Sequence, residues 1–219
     1  LTHGCPAGVR EKDMELWDAY DEYCNKTGGT LVRGERLKKG EYHLVVRVCL
    51  FNSSGKMLIQ QRQTSKDGWP GMWDFTVGGA AIRGDDGRAA ASRELKEELG
   101  IDHDFSHTRP HMTVYSHNSF CDIFMIEKNV RIDDLCLQQE EVKAVKWASR
   151  SEIKKMIDEG VFIPFHKSVV DLFFDVRKQC DFVNHGYGRK IKRRVRAEAK
   201  NGIQSREEHP KNNRYERKK

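Results

Sequence analysis

Long apolar runs are missing from this sequence. No stretch of about 18 consecutive apolar residues occurs, which argues against a membrane-spanning helix. The opening residues, LTHGCPAGVREKDMELW, lack the apolar centre of a secretory signal. Cysteines at metal-binding spacing are missing as well. The six present (Cys5, Cys24, Cys49, Cys121, Cys136 and Cys180) are scattered without a C-x-x-C pair, so a zinc site of the usual spacing is not expected. Cys49 and Cys121 stand among apolar neighbours and read as buried thiols. Together these absences suggest a cytoplasmic protein in a reducing environment.

Charge of one sign is scarce in most of the chain. The 219 residues carry 39 Lys+Arg and 33 Asp+Glu, a net charge of +6. Residues 189–219 alone hold 13 Lys+Arg against 4 Asp+Glu, which leaves 26 against 29 in the other 188 residues. The basic character therefore belongs to a tail, and the body is mildly acidic. We expect a disordered or appended N-terminus over 1–13, with Met14 as a natural start. One domain is expected over 14–180, and a basic, largely disordered extension over 181–219.

Along 14–180, MELWDAYD, NKTGG and TLVRGE read as strand, turn and strand, with the turn at Asn25–Gly29. HLVVRVCLF, residues 43–51, is a strong β-branched strand. Asn52–Gly55 turns it, and MLIQQR (57–62) returns as the partner of a hairpin. TSKDGWPGMW is a Gly/Pro loop, and DFTVGG a short strand. Arg88–Leu99 is rich in helix formers and ends at Gly100. Thr113–Tyr115, Phe120–Glu127 and Val142–Trp147 suggest further strands. Ser149 or Ser151 can cap a helix reaching Ile157. A second helix is expected after Pro164, with Val169, Leu172, Phe173 and Val176 as its apolar stripe. A short helix is expected near 189–200, followed by disorder.

The stretch RELKEELG, 93–100, sets three carboxylates close together. At about 100° per residue, Glu94, Glu97 and Glu98 share an arc of about 100°, while Leu95 and Leu99 lie on a neighbouring face able to pack on a sheet. Like charges so placed repel. A mixed Glu/Lys face is commonly just solvated; alternatively the three share a hard divalent cation, which favours oxygen ligands.

The longer segment GGAAIRGDDGRAAASRELKEELGI, 78–101, resembles the signature of the Nudix hydrolases. Gly79 fits its first position, and Arg93, Glu94, Leu95, Glu97, Glu98, Gly100 and Ile101 fit its end at the correct spacing. Asp85 departs, standing where that family usually has Glu. YHLVVRVCLFNSSGKMLIQQR and WPGMWDFTVGG extend the likeness toward the subset related to isopentenyl diphosphate isomerase, over roughly 14–178.

The resemblance implies an α/β/α sandwich with a mixed sheet and metal-dependent hydrolysis of a diphosphate linkage, in a nucleoside diphosphate derivative or related pyrophosphate. It implies Mg2+, with Mn2+ possible, as cofactor. Glu94 and Glu98 would be the leading metal ligands, with Glu97 a third, and Arg93 would brace the carboxylates. Glu97, Glu98 or, from a later loop, Glu141 could act as base, while Glu140 and Glu141 could equally be surface residues. Asp85 would support the box. Gly78 and Gly79 would let the backbone turn tightly and approach a ligand. The isomerase alternative is disfavoured, because the catalytic Cys that follows WPG-x-W there has no counterpart in WDFTVGGA, 73–80.

Other residues stay open. Arg47 and Arg62 could meet substrate phosphates or simply face solvent. Trp69 and Trp73 could stack on a base or pack their loop. His43 reads as structural or exposed. His111 and His117 would share a strand face, with nothing to complete a site. A homodimer is possible. The tail could bind RNA through phosphates, making the protein a non-catalytic binding module, but it lacks interleaved aromatics before Tyr215 and a nucleic-acid-binding fold, and a solvated tail is the plainer expectation.

Overall fold

The structure, a computed structural model, describes residues 14–178 and 188–197. The disorder expected for 1–13 and beyond 197 lies outside those residues. The chain divides into two units, 1–180 and 181–219. In the first, the order is β1 (Leu16–Tyr20), β2 (Lys26–Val32), β3 (His43–Phe51), β4 (Met57–Arg62), β5 (Trp73–Asp74), β6 (Val77–Ala80) and α1 (Gly87–Leu99). There follow β7 (Met112–Tyr115), β8 (Ser119–Glu127), a single 3-10 turn (Ile132–Asp134), β9 (Val142–Ala148), α2 (Arg150–Asp158) and α3 (Lys167–Val176). In the second unit the described residues 188–197 are helical.

Alternation in β3 divides the core into two layers. Leu44, Val46, Val48 and Leu50 pack with Ala90, Ala91, Leu95 and Leu99 of α1 on one sheet face. Cys49 and Phe51 pack with Ile153 and Met156 of α2 and Val170 and Phe173 of α3 on the other. The result is a helix–sheet–helix sandwich. The sheet is mixed: β3 runs parallel to β8 and antiparallel to β4 and β6. Each fully buried leucine of α1 contributes about 1.5–3 kcal/mol, enough to hold an acidic helix on the sheet.

The expected β3–β4 hairpin holds only at its root. These strands pair at Phe51↔Met57 and then part. Into the opening come β6, paired with β3 over 45–48, and β5, paired with β4 at Gln60 and Gln61. Thr76 spans the split: the Leu50 amide donates to its hydroxyl at 2.8 Å, and that hydroxyl donates to the Leu58 carbonyl at 2.5 Å. The divided sheet leaves a wedge beneath α1 into which polar side chains can reach.

Four local expectations need correction. The first turn falls at Asp21–Asn25, where Asp21 accepts from the Tyr23 and Asn25 amides, and Gly28 and Gly29 lie inside β2. Gly78 and Gly79 make no tight turn, since both sit in β6 without positive φ. In α3 the most buried face is Val170, Phe173, Phe174 and Val176, so Val169 and Leu172 only flank it. His111 precedes β7 and His117 lies in the turn after it, so they share no strand face. The Ser149 cap of α2 is realised as a full capping box with Glu152. Cys49 is a buried free thiol and Cys121 a half-buried one, while Cys136 is disulfide-bonded.

Candidate functional site

The helix of the glutamate cluster is fixed at both ends. Asp86 caps it, accepting from the amides of Ala89 at 2.9 Å and Arg88 at 3.0 Å. Those amides and the Arg88 side chain hold the Asp86 carboxyl below the usual range. Gly100 ends it at φ 69, its amide bonding the Lys96 carbonyl at 2.9 Å. The span between these stops puts Glu94 and Glu98 one turn apart, above the wedge in the sheet.

Glu98 is buried, only 5% exposed. Gln60 of β4 donates to it from Nε2 at 2.8 Å, and the other amide atom of Gln60, Oε1, is buried without a partner. Burial pushes the Glu98 carboxyl well above its usual range, and the charges of Glu94, Glu141 and Asp74 push the same way. Glu94 lies against β6, where a Cβ on Gly79 would come within 2.3 Å of its carboxylate. Its carboxyl is likewise raised by burial, against the opposing pull of Arg93.

Arg93 joins the rest. It bonds Glu94 at 2.8 Å and Glu97 at 3.2 Å through Nη1, Asp85 at 3.2 Å through Nε, and the Ala80 carbonyl at 2.9 Å through Nη2. Asp85 thus reaches the site through the arginine, despite being a methylene shorter than Glu. Glu97 is exposed on the outer side of the helix, directed at Arg93. Among the described residues no three His, Cys, Asp or Glu side chains come together in metal-holding positions. The immediate reason is that Arg93 draws Glu94 and Glu97 to itself while Gln60 holds Glu98.

A divalent cation nevertheless fits this donor set. Half-buried Glu94 and buried Glu98 are hard oxygen donors that repel each other, with a partnerless Gln60 oxygen beside them and room kept by the bare Cα of Gly79. A cation would relieve the repulsion and occupy the free oxygen.

The remaining expected site residues fall around this centre unevenly. Glu141 pairs with Lys66, and its charge reaches Glu98; Glu140 is exposed. Arg62 donates from Nε to the Gly68 carbonyl at 2.8 Å and stands 3.9 Å from Asp74. Arg47 is not open to a ligand. It bonds Asp74 at 2.7 Å and lies 5.0 Å and 5.4 Å from the ring centroids of Phe165 and Phe75. Gly78 pairs with Arg47 in the β3–β6 register.

Three contributors escaped the sequence reading. Gln60 is buried at 4% exposure, and its signal was a polar residue two places after Leu58 on the helix-facing side of β4. Asp74 ties Arg47 to the wedge and faces Gln60 across β4–β5. Arg33, after β2, bonds Glu15 at 2.5 Å and has its charge favoured first by Glu15 and further by Glu141 and Glu94. Nothing local in the sequence links Arg33 to residues sixty and a hundred positions away.

Comparison with known proteins agrees with this geometry. The NUDIX domain model matches residues 41–171. An uncharacterized Nudix hydrolase of Listeria monocytogenes is 43% identical over 152 residues, covering 69% of this chain and 90% of the relative. An isopentenyl-diphosphate Delta-isomerase of Shigella boydii is more distant, 26% identical over 165 residues, covering 72% and 78%. The crystal structure of a Deinococcus radiodurans protein superposes with a TM-score of 0.60 at 22% identity, over 72% of this chain and 98% of that one. With the box helix, its bracing arginine and the split mixed sheet in place, the chain belongs to the Nudix hydrolase family.

Proposed function

We propose that the protein is a metal-dependent pyrophosphohydrolase that cleaves a diphosphate linkage in a nucleoside diphosphate derivative or related organic pyrophosphate. The observation that carries this reading is buried Glu98 one helical turn from half-buried Glu94, beside the partnerless Gln60 oxygen. Glu94 and Glu98 would hold Mg2+, with Mn2+ a substitute, and Glu97 would join by turning from Arg93. A bound divalent cation supplies neutralisation of phosphoryl oxygens and a more acidic water.

The chain's own residues do the rest. Arg93 positions Glu94 and Glu97 and is itself fixed by Asp85 and the Ala80 carbonyl. Gln60 orients Glu98. Glu141, outside the helix and close enough for its charge to act on Glu98, takes the proton from the attacking water, held until then by Lys66. Arg62 would meet substrate phosphates. Gly78 and Gly79 keep the strand floor thin, and Arg47, bonded to Asp74, keeps that floor in place.

An isomerase reading has no support beyond distant similarity, since no Cys stands in 73–80. We also propose the domain limits 14–180, with 1–13 and 181–219 as additions. Among the described residues no helix is long and apolar enough to cross a membrane. A cytoplasmic location and a homodimer are proposals from the sequence. The test is a panel of nucleotide sugars, dinucleoside polyphosphates, NADH, CDP-alcohols and nucleoside triphosphates, each with Mg2+ or Mn2+. Release of phosphate or a nucleoside monophosphate is expected for at least one, and cleavage of none would refute the reading.

A further inference from the structure

β7 closes one side of the sheet and pairs with β8 alone among the described residues. Its other side is a free edge. The Ser116 amide donates to the Ser119 carbonyl at 2.8 Å where the two strands turn. Ser116 and Ser119 thus oppose each other as a bonded pair, and bonded and unbonded pairs alternate along antiparallel strands. Counting back, the backbone groups of Val114 and Met112 point to β8, and those of Thr113 and Tyr115 point out from the sheet.

Sheets commonly guard such edges with charge. β9, which pairs with β4 alone among the described residues, carries exposed Lys143 and Lys146. β7 has no such guard. Residues 110–121, PHMTVYSHNSFC, hold no Asp, Glu, Lys or Arg in a chain that is 33% charged. Yet 113–118 are all exposed, with Val114 at 48% and Tyr115 at 61%. The Cys24 thiol donates to the Tyr115 hydroxyl at 3.3 Å, so the turn after β1, with exposed Tyr23, stands at the end of the same edge.

The missing charge says which partner fits. A different protein is selected by complementary charge at the contact. A two-fold contact sets each residue near its own copy, so a charge close to the axis meets its like. A neutral, apolar edge in a highly charged chain avoids that repulsion. We propose that two copies of this chain join antiparallel through β7, with Val114 on the two-fold axis. Thr113 then exchanges backbone bonds with the partner's Tyr115, and the two Val114 side chains meet on one face. β8 and β3 separate β7 from β4 in the sheet, so the proposal stands apart from the hydrolase reading.

The test is sedimentation velocity of the full chain between about 1 μM and about 100 μM, with light scattering for mass. The wild type should pass from monomer to dimer over that range. Val114→Lys and Val114→Glu should each raise the dissociation constant by about tenfold or more, since each sets two like charges across the axis. An equimolar mixture of the two variants should recover the dimer, because opposite charges then meet as a cross-strand pair.

A wild type that stays monomeric at about 100 μM would overturn the proposal and leave the edge to a strand of another protein. Dimers undiminished in both single variants would overturn it by placing the contact elsewhere. A mixture that stays monomeric would overturn it as well. Recovery in the mixture is the decisive arm, because a variant that had merely misfolded would not regain a dimer on meeting a second one.

Discussion

A hydrogen atom at position 79 decides how closely Glu94 can approach the sheet. A methyl group there would meet the carboxylate at 2.3 Å, far inside contact distance, so Gly79→Ala must push Glu94 aside. We expect that variant to fold with a loss of about 1–3 kcal/mol and to lose most of its metal-dependent turnover; unfolding midpoints and rates measured together would show whether activity falls further than stability. A second residue-scale prediction concerns His43. Its ring stacks on Trp17 at 4.2 Å, its Nδ1 is buried without a partner, and burial pushes its pKa down. A histidine depressed in the folded state binds fewer protons folded than unfolded. Its contribution is thus fully present above the unfolded value, about 6.5, and is lost as pH falls from there toward the lower folded value. His43→Phe keeps a ring on Trp17 and removes the proton. The wild type should therefore lose stability relative to this variant between about pH 7.5 and about pH 5 in urea unfolding; a constant difference would contradict the burial account. At this scale the sequence was partly legible. The box residues could be located by spacing, but Gln60, Asp74 and Arg33 matter through folding partners 38, 27 and 18 residues away, and no local pattern marks such pairs.

The elements were easier to read than their arrangement. β3, β4 and α1 announce themselves through β-branched alternation and helix formers, and α1 stops where Asp86 and Gly100 supply its caps. The parting of β3 from β4 did not show, because Thr76, which holds the parted strands, is a single hydroxyl in a short extended segment. That parting makes the wedge, and half-buried Arg47 pairs there with buried Asp74. Asp74→Ala would leave the Arg47 guanidinium uncompensated between Phe75 and Phe165. A loss of about 1–3 kcal/mol is expected, that of leaving a part-buried charged group without its hydrogen-bond partner. Asp74→Ala combined with Arg47→Met should recover much of it, since the double variant removes the charge as well as its partner. Denaturant midpoints of the two single variants and the double variant form the cycle that decides this.

At the scale of the molecule, charge and chemistry lie in different units. The described helix at 188–197 holds Arg189, Lys190, Lys192, Arg193, Arg194 and Arg196, and every residue from 189 to 197 is exposed. The carboxylate centre, by contrast, draws on β4, β6, α1 and the loop before β9, all within the first unit. A chain ending at residue 180 is accordingly expected to keep the proposed metal-dependent activity, while any salt-sensitive binding of labelled RNA by the full chain should disappear with the tail. The mixed sandwich follows from long-range pairing, above all the parallel β3–β8 contact between segments more than seventy residues apart; the resemblance to a known family, and not periodicity, made it foreseeable. The central claim is that Glu94 and Glu98 hold a catalytic cation. The most direct measurement is Mg2+ binding by calorimetry, paired with the rate on the best substrate of the panel, for wild type and Glu98→Gln. The account predicts Mg2+ binding and Mg2+-dependent cleavage by the wild type, with both lost or reduced by about 10²-fold or more in Glu98→Gln. Undiminished Mg2+ affinity and turnover in Glu98→Gln would contradict it.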